Sequence, residues 1–325
     1  MTQFSSPGRI QRLKLRAEAF DKIRQFFRHR DVMEVDPPTL SRAATPDIHL
    51  ASLSTELRLP GNREAKRYYL HTSPEYAMKR LLCEGSGDIY FLGKVFRDGD
   101  LSPRHQPEFT LLEWYRLSFS LEQMMTETAA LLQAFIGALP VRLLSYQQAF
   151  AEYAGIDDIH QASAESCRAC LAKHQVPEVI GVAPEDKPLW EQLILTEVIE
   201  TQLGRGEITC LYHYPAREAA LAQISSGNPQ VAERFEVFIE GVELANGYLE
   251  LQDSRTYRAR FEEQLRLRQA NHKPSVPMDE ALLAALSEQG LPDCSGVALG
   301  VDRLLALVSQ CENLADVLSL DIENA

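Results

Sequence analysis

The run from Phe96 to Phe109, FRDGDLSPRHQPEF, constrains this chain more than any other stretch. An apolar strand pattern from Ile89 to Phe96 meets an arginine, crosses a polar, turn-rich loop and resumes as a strand from Phe109 to Leu117. Arg97, Arg104 and His105 surround that hairpin. A planar guanidinium fork makes paired bonds to phosphate oxygens, so the hairpin can grip a polyphosphate while Phe109 stacks on a base. The plainer reading is a solvated hairpin with incidental charges. The end of the chain weakens it. Gly296 to Leu304, GVALGVDRL, is a small-residue strand turning into a helix. Small residues let a backbone approach a ligand closely, and Arg303 can bring a second guanidinium to the same phosphates.

The remaining composition narrows the class. The 325 residues, 45% of them hydrophobic, suit one large domain or a domain with an insertion. A net charge of −13 argues against nucleic acid as the main partner, because phosphate contacts need a basic face. The one dense basic stretch, Arg9 to Arg30, coincides with an amphipathic helix whose stripe is Ile10, Leu13, Ala17, Phe20, Ile23 and Phe27, so it reads as a solvated helix face. No apolar run approaches the roughly 18–20 residues that cross a bilayer. The N-terminus lacks the pattern of an export signal, and the six cysteines read as reduced thiols of the cytoplasm. Cys167 and Cys170 form a C-x-x-C in a helical pattern, with no second pair to complete a zinc site.

Further elements follow coarsely. A strand-like run covers Leu53 to Leu59, and a helix is expected from Thr72 to about Glu84. Ser120 reads as the N-cap of a helix reaching Leu139, and residues from about 145 to 205 look helical. Strands are expected at Thr209 to Tyr214 and Arg234 to Glu240, with Glu243 at the end of the run Val237 to Val242 and Glu250 seven residues on. A charged helix is expected at about 254–271.

The hairpin resembles motif 2 of the class II aminoacyl-tRNA synthetases, Gly296 to Arg303 resembles motif 3, and Val32 to Pro38 resembles motif 1. Thr72-Ser73-Pro74-Glu75, Pro107-Glu108-Phe109-Thr110, Glu113-Trp114-Tyr115 and Glu243-Leu244-Ala245-Asn246-Gly247 are similar to the lysine subclass. The resemblance implies an α+β catalytic core, an antiparallel sheet flanked by helices, covering residues 1–325 with the helical insertion at about 145–205, and a homodimer formed through motif 1. It implies ATP as co-substrate with magnesium. Arg97 would meet the α-phosphate and Arg303 the γ-phosphate. Asp98, Gly99, His105, Gln106, Phe109, Glu243, Leu244 and Gly300 would lie around the nucleotide. Ser73, Pro74, Glu75, Glu113, Tyr115, Glu250 and Ala298 would surround a diamino acid, and Glu243 with Glu250 would be the magnesium ligands. A pocket for an ammonium needs buried negative charge, which the glutamates can supply.

Departures from the synthetase pattern decide the acceptor. Motif 1 begins within about 30 residues of the first residue, so no anticodon-reading barrel is expected ahead of it and tRNA is not expected as the acceptor. Compact synthetase-like ligases of this layout attach (R)-β-lysine to a lysine side chain of elongation factor P, and the run from Pro292 to Arg303 is similar to theirs. Ala298 stands where the lysyl-tRNA synthetase pattern has glycine; one methyl in a pocket shifts discrimination by about 1–3 kcal/mol. Gly99 stands where motif 2 has a glutamate, and Gln106 replaces an asparagine. The alternatives are a shortened lysyl-tRNA synthetase-like enzyme that charges tRNA, and an inactive regulatory paralogue, for which Gly99 is the best argument. No residue stands out as the base for an acceptor lysine.

Overall fold

The structure, a computed structural model, describes residues 8–58, 60–61, 64–177 and 179–325. The chain forms two compact units. One comprises the described residues up to Phe119 together with Glu250–Ala325, and the other Ser120–Leu249.

In the first unit α1 (Arg9–Arg28) leads to β1 (Met33–Glu34), then β2 (Leu40–Ser41), β3 (Ser54–Leu57), β4 (Lys66–Leu70), α2 (Glu75–Cys83), β5 (Ile89–Phe96) and β6 (Glu108–Leu117). The hairpin expected from the sequence is β5–β6, paired antiparallel from Ile89 with Tyr115 to Phe96 with Glu108. On the other edge of β5, β1 pairs in parallel, so this sheet is mixed where antiparallel pairing was expected throughout. A small antiparallel sheet of order β2-β4-β3 was not anticipated, since β2 is two residues long and β4 reads KRYYL without alternation. The run expected from Leu53 to Leu59 is β3; Leu59 itself lies outside the described residues.

Helix α1 buries its second half. Ile23 and Phe27 are fully buried, Phe27 stacking on Tyr90 at 4.4 Å and meeting Trp114 edge-on at 5.4 Å. Ile10 and Leu13, expected on the same buried stripe, are exposed, and Arg16 is the side chain that turns inward in their half of the helix.

The second unit begins with α3 (Leu121–Ile136). Ser120 accepts from the Gln123 amide, and the Gln123 side chain returns to the Ser120 amide, a reciprocal cap. The next elements are β7 (Val141–Ser145), α4 (Tyr146–Ala149), α5 (Ala164–Lys173), α6 (Lys187–Ile194), β8 (Ile208–Tyr212), β9 (Arg234–Ile239) and β10 (Val242–Leu249). The strands lie in the order β10-β9-β8-β7, antiparallel except for β7 beside β8. The helices between β7 and β8 close over an apolar core of Tyr146, Phe150, Trp190, Ile194 and Ile199. Cys167 and Cys170 belong to that core as free thiols. Glu243 is not at the end of a strand. Glu240 and Gly241, at φ 50° and 71°, reverse the chain in a two-residue turn, and Glu243 is the second residue of β10.

The first unit resumes with Glu250, then α7 (Ser254–Ala270), α8 (Glu280–Glu288), β11 (Cys294–Gly300) and α9 (Val301–Val308). Strand β11 pairs antiparallel with β6, Gly296 opposite Tyr115 and Ala298 opposite Glu113. Among the described residues no helix is long and apolar enough to cross a membrane.

Candidate active site

Successive side chains of a strand alternate in face, so Phe109, Glu113 and Tyr115 share one side of β6 while Trp114 is buried on the other. Across the ladder, Ala298 shares the Glu113 side and Gly296 the Tyr115 side. The hairpin loop gathers charge at the Phe109 end of this surface, and buried carboxylates gather around Glu113.

The loop is closed by the Arg97 amide donating to the Pro107 carbonyl at 2.9 Å and by a pair of 3.1 Å backbone bonds between Ser102 and His105. Its turn passes through Gly99 at φ 82°, in the left-handed region where a glutamate would be strained, so the departure from the motif-2 glutamate has a backbone cause. A Cβ at Gly99 would meet nothing, and the Asp98 amide is spent on the Ala51 carbonyl at 2.8 Å. Gln106 is buried. Arg97 holds its guanidinium over the Phe109 ring, 5.0 Å from its centre. The Arg303 guanidinium lies 2.9 Å from His105 Nε2. A guanidinium only donates, so Nε2 accepts, and Nδ1 carries the proton toward Ser102 Oγ at 2.9 Å. Partial burial and then the charges of Arg303, Arg97 and Arg104 push the His105 pKa down, holding the ring neutral. Arg303 thus donates to an uncharged imidazole.

Arg303 reaches the hairpin because the residue before it is locked there. Asp302, buried, accepts from Arg16 Nη1 at 2.6 Å and from the Thr110 amide at 2.7 Å, while Arg16 Nη2 also meets Thr110 Oγ1. The start of α9 is thereby tied to α1 and to β6. Gly300 precedes it, and the Arg303 side chain passes 3.7 Å from where a Cβ of Gly300 would stand.

The carboxylate cluster is built from four elements. Ser73 Oγ and Tyr115 Oη donate to the two oxygens of Glu113 at 2.6 and 2.7 Å. The Glu75 amide donates back to Ser73 Oγ at 3.0 Å, and Pro74 leads into α2 at Glu75. Burial, then the nearby Glu75 charge, pushes the Glu113 pKa up to about 8 against the pull of its two donors. Lys79, fully buried one turn along α2, places Nζ 2.6 Å from Glu75 Oε1, 2.6 Å from Glu250 Oε2 and 2.9 Å from Tyr257 Oη. Burial opposes its charge, but Glu250 and Glu75 outweigh that and hold its pKa well above the ordinary lysine value. Glu250 is likewise lifted to about 7, by burial first. A cavity of about 160 Å³ adjoins this cluster, lined in part by His71, Ser73, Glu75, Tyr76, Arg80 and Asp279; the arginines of the loop do not line it.

Glu250, expected with Glu243 as a magnesium ligand, places its buried carboxylate 2.6 Å from the Lys79 ammonium. Among the described residues no three His, Cys, Asp or Glu side chains are disposed around a common metal position. Glu243 and Leu244 lie in the second unit, at a bulge of β10 between Glu243 and Ala245, a device that re-aims side chains.

Gly296 is the glycine this cluster cannot lose. A Cβ there would stand 2.4 Å from Glu250 Oε1 and 2.4 Å from the Tyr115 ring. Gly296→Ala is expected to cost about 1–3 kcal/mol of stability, as overpacking does. Denaturant unfolding of the purified variant checks this, and an unchanged midpoint would show that both side chains relax freely.

The sequence profile described as tRNA synthetases class II (D, K and N) matches residues 1–321. The chain belongs to that class II synthetase family. Among curated relatives of this class II chain, a protein of Haemophilus influenzae (strain PittGG) is 43% identical over 97% of this chain and 96% of its own length. One of Salmonella gallinarum is 44% identical over 97% and 96%, and one of Avibacterium paragallinarum 43% identical over 99% of each. All three are named elongation factor P–(R)-β-lysine ligase. Class II membership and the ligase names agree with the α+β fold and with an ATP-dependent ligase. Sequence reasoning missed Lys79, Arg16 and Asp302. The Glu75–Lys79 spacing of four on a helix was a visible signal for the first; nothing in the sequence marked the Arg16–Asp302 tie across the chain.

Proposed function

We propose that this protein activates (R)-β-lysine with ATP as an adenylate and transfers the β-lysyl group to a lysine side chain of elongation factor P. One observation carries the reading. A single face of β6 presents Phe109 beside the arginine cluster at one end and Glu113 with Tyr115 among buried carboxylates roughly 13 Å along the strand. A nucleotide and a cationic amino acid can therefore lie end to end on one rigid surface. The names of the relatives supply the substrate and the acceptor.

The chemistry follows from the groups. An amino-acid carboxylate oxygen attacks the α-phosphorus, the bond from that phosphorus to the bridging oxygen of pyrophosphate breaks, and pyrophosphate departs. Negative charge builds on the α-phosphoryl oxygens, where Arg97 stabilises it, while Arg303 holds the γ-phosphate of the departing pyrophosphate. Magnesium travels with the phosphates, and Glu243 is the carboxylate that would meet it. In the second step the acceptor amine attacks the acyl carbon and AMP leaves with the bonding pair. The attacking amine loses one proton, which the departing AMP phosphate takes up. Ala298, on the Glu113 face, is the residue assigned to favour a β-amino over an α-amino group. The working form is a cytoplasmic homodimer joined through the segment Val32 to Pro38.

Incubating the protein with ATP, (R)-β-lysine and elongation factor P, then weighing the intact acceptor, is expected to show one added β-lysyl group. Transfer of label to tRNA and none to protein would reject the reading in favour of a tRNA-charging enzyme. Amino-acid-dependent pyrophosphate exchange would exclude an inactive paralogue.

A further inference from the structure

Three carboxylates, Glu75, Glu113 and Glu250, come together in the first unit around one buried ammonium that belongs to the protein itself. Pockets for cationic ligands are ordinarily kept negative by carboxylates alone, so a resident lysine of the same charge as the ligand needs a reason. We propose that Lys79 is a specificity-determining residue of the diamino-acid pocket, a resident counter-ion that holds the Glu75 and Glu250 carboxylates in place before an ammonium arrives. The inference rests on the proposed function.

The physical case starts from burial. Glu250 is 1% exposed and Lys79 fully buried. A carboxylate in such surroundings takes up a proton unless a cation holds it ionised, and a protonated carboxyl cannot pair with an incoming ammonium. Lys79 bridges the two carboxylates at the same 2.6 Å distance, and Tyr257 Oη fixes the third direction of its Nζ. Burial lifts Glu113 to about 8, so it holds its proton near neutral pH, and the ion-pair contacts of Lys79 are with Glu75 and Glu250. Gly296 lets Glu250 and Tyr115 approach across β11, so the arrangement is sterically fixed as well.

The other titratable groups facing Lys79 do not compete with this account. Tyr76 and Cys83 on α2, Tyr257 on α7 and Cys294 on β11 are all pushed upward by burial and stay neutral near neutral pH. Tyr115 on β6 is raised for the same reason. Charge changes in the range of an assay therefore belong to Glu113 and Glu250.

The test is steady-state pyrophosphate exchange with (R)-β-lysine from about pH 6 to 9, for the unaltered protein, Lys79→Met and Tyr257→Phe. Methionine keeps the volume and removes the charge. A carboxyl that then protonates must lose its proton before an ammonium binds, and each pKa unit above the assay pH weakens binding about tenfold. Lys79→Met is expected to raise KM at pH 7 by about tenfold or more, to leave kcat at saturation within about threefold, and to move the rise of kcat/KM to higher pH. Tyr257→Phe, which removes one hydrogen bond to Lys79, is expected to move KM the same way by about two- to tenfold. A lower KM in Lys79→Met would mean that Lys79 merely repels the substrate, and would overturn the proposal. So would a lost kcat with KM and pH profile unchanged, which marks a structural part only. If Lys79→Met does not fold, Tyr257→Phe decides, and an unaltered KM and pH profile there is the overturning result. An unaltered protein that shows no exchange removes the functional reading and this inference with it, whereas active protein with indifferent variants removes this inference alone.

Discussion

Arg97→Ala is expected to lower kcat for amino-acid-dependent pyrophosphate exchange by roughly 10²–10³, the loss seen when one fixed donor to a developing oxyanion is removed. In the proposed reaction Arg97 is such a donor. Its amide closes the hairpin on Pro107, and its guanidinium is packed over Phe109, so it need not reorganise when charge builds on phosphorus. Lysine at this place keeps the charge but not the fork, and Arg97→Lys should recover only part of the loss. Saturating-substrate kinetics check both variants, with thermal melting as the control for folding. A decrease below about tenfold in Arg97→Ala would remove this residue from the transition state and shift the burden to Arg303.

The second large effect concerns stability. Asp302→Ala is expected to cost about 3–5 kcal/mol, because it breaks a buried ion pair and leaves one partner behind. Arg16 has a side chain only 11% exposed and would lose its carboxylate, and the Thr110 amide would lose its acceptor. Arg16→Ala is expected to cost less, since the Asp302 carboxylate keeps the Thr110 amide as a donor. Urea unfolding of the two single variants and the double variant measures the coupling between them. If Asp302→Ala unfolds at the same urea concentration as the parent, the tie from α1 to the start of α9 contributes nothing and Arg303 is held by other means.

What the sequence disclosed, and what it concealed, divides by the range of the interaction. The β5–β6 hairpin, the Ser120 cap and the helix α7 are local patterns of alternation, capping and periodicity, and all three lie within a few residues of where those patterns place them. The placing of Glu113 and Tyr115 together in the pocket came from the resemblance to the lysine subclass. The strand expected at Arg234 to Glu240 is β9, which ends at Ile239, whereas its return from Val242 as β10 was not anticipated. The stripe on α1 was overextended because periodicity says which face of a helix is apolar but not how far along it the core reaches. Ile10 and Leu13 pass beyond that core. The counter-ion Lys79 and the Arg16–Asp302 pair span 171 and 286 residues to Glu250 and Asp302, and no local pattern carries such information.

Placing Phe109 and Glu113 on one uninterrupted strand makes the two halves of the site mechanically inseparable. Lengthening the connection between β5 and β6 would leave the order of residues within β6 intact, and loops tolerate such change at small entropic penalty. Deleting one residue between Phe109 and Glu113 would instead invert the outlook of every side chain beyond the cut and send Glu113 to the side now occupied by Trp114. Variation in which amino acid is accepted is therefore confined to exchanges of side chain at fixed length, and insertions can accumulate only at the nucleotide end.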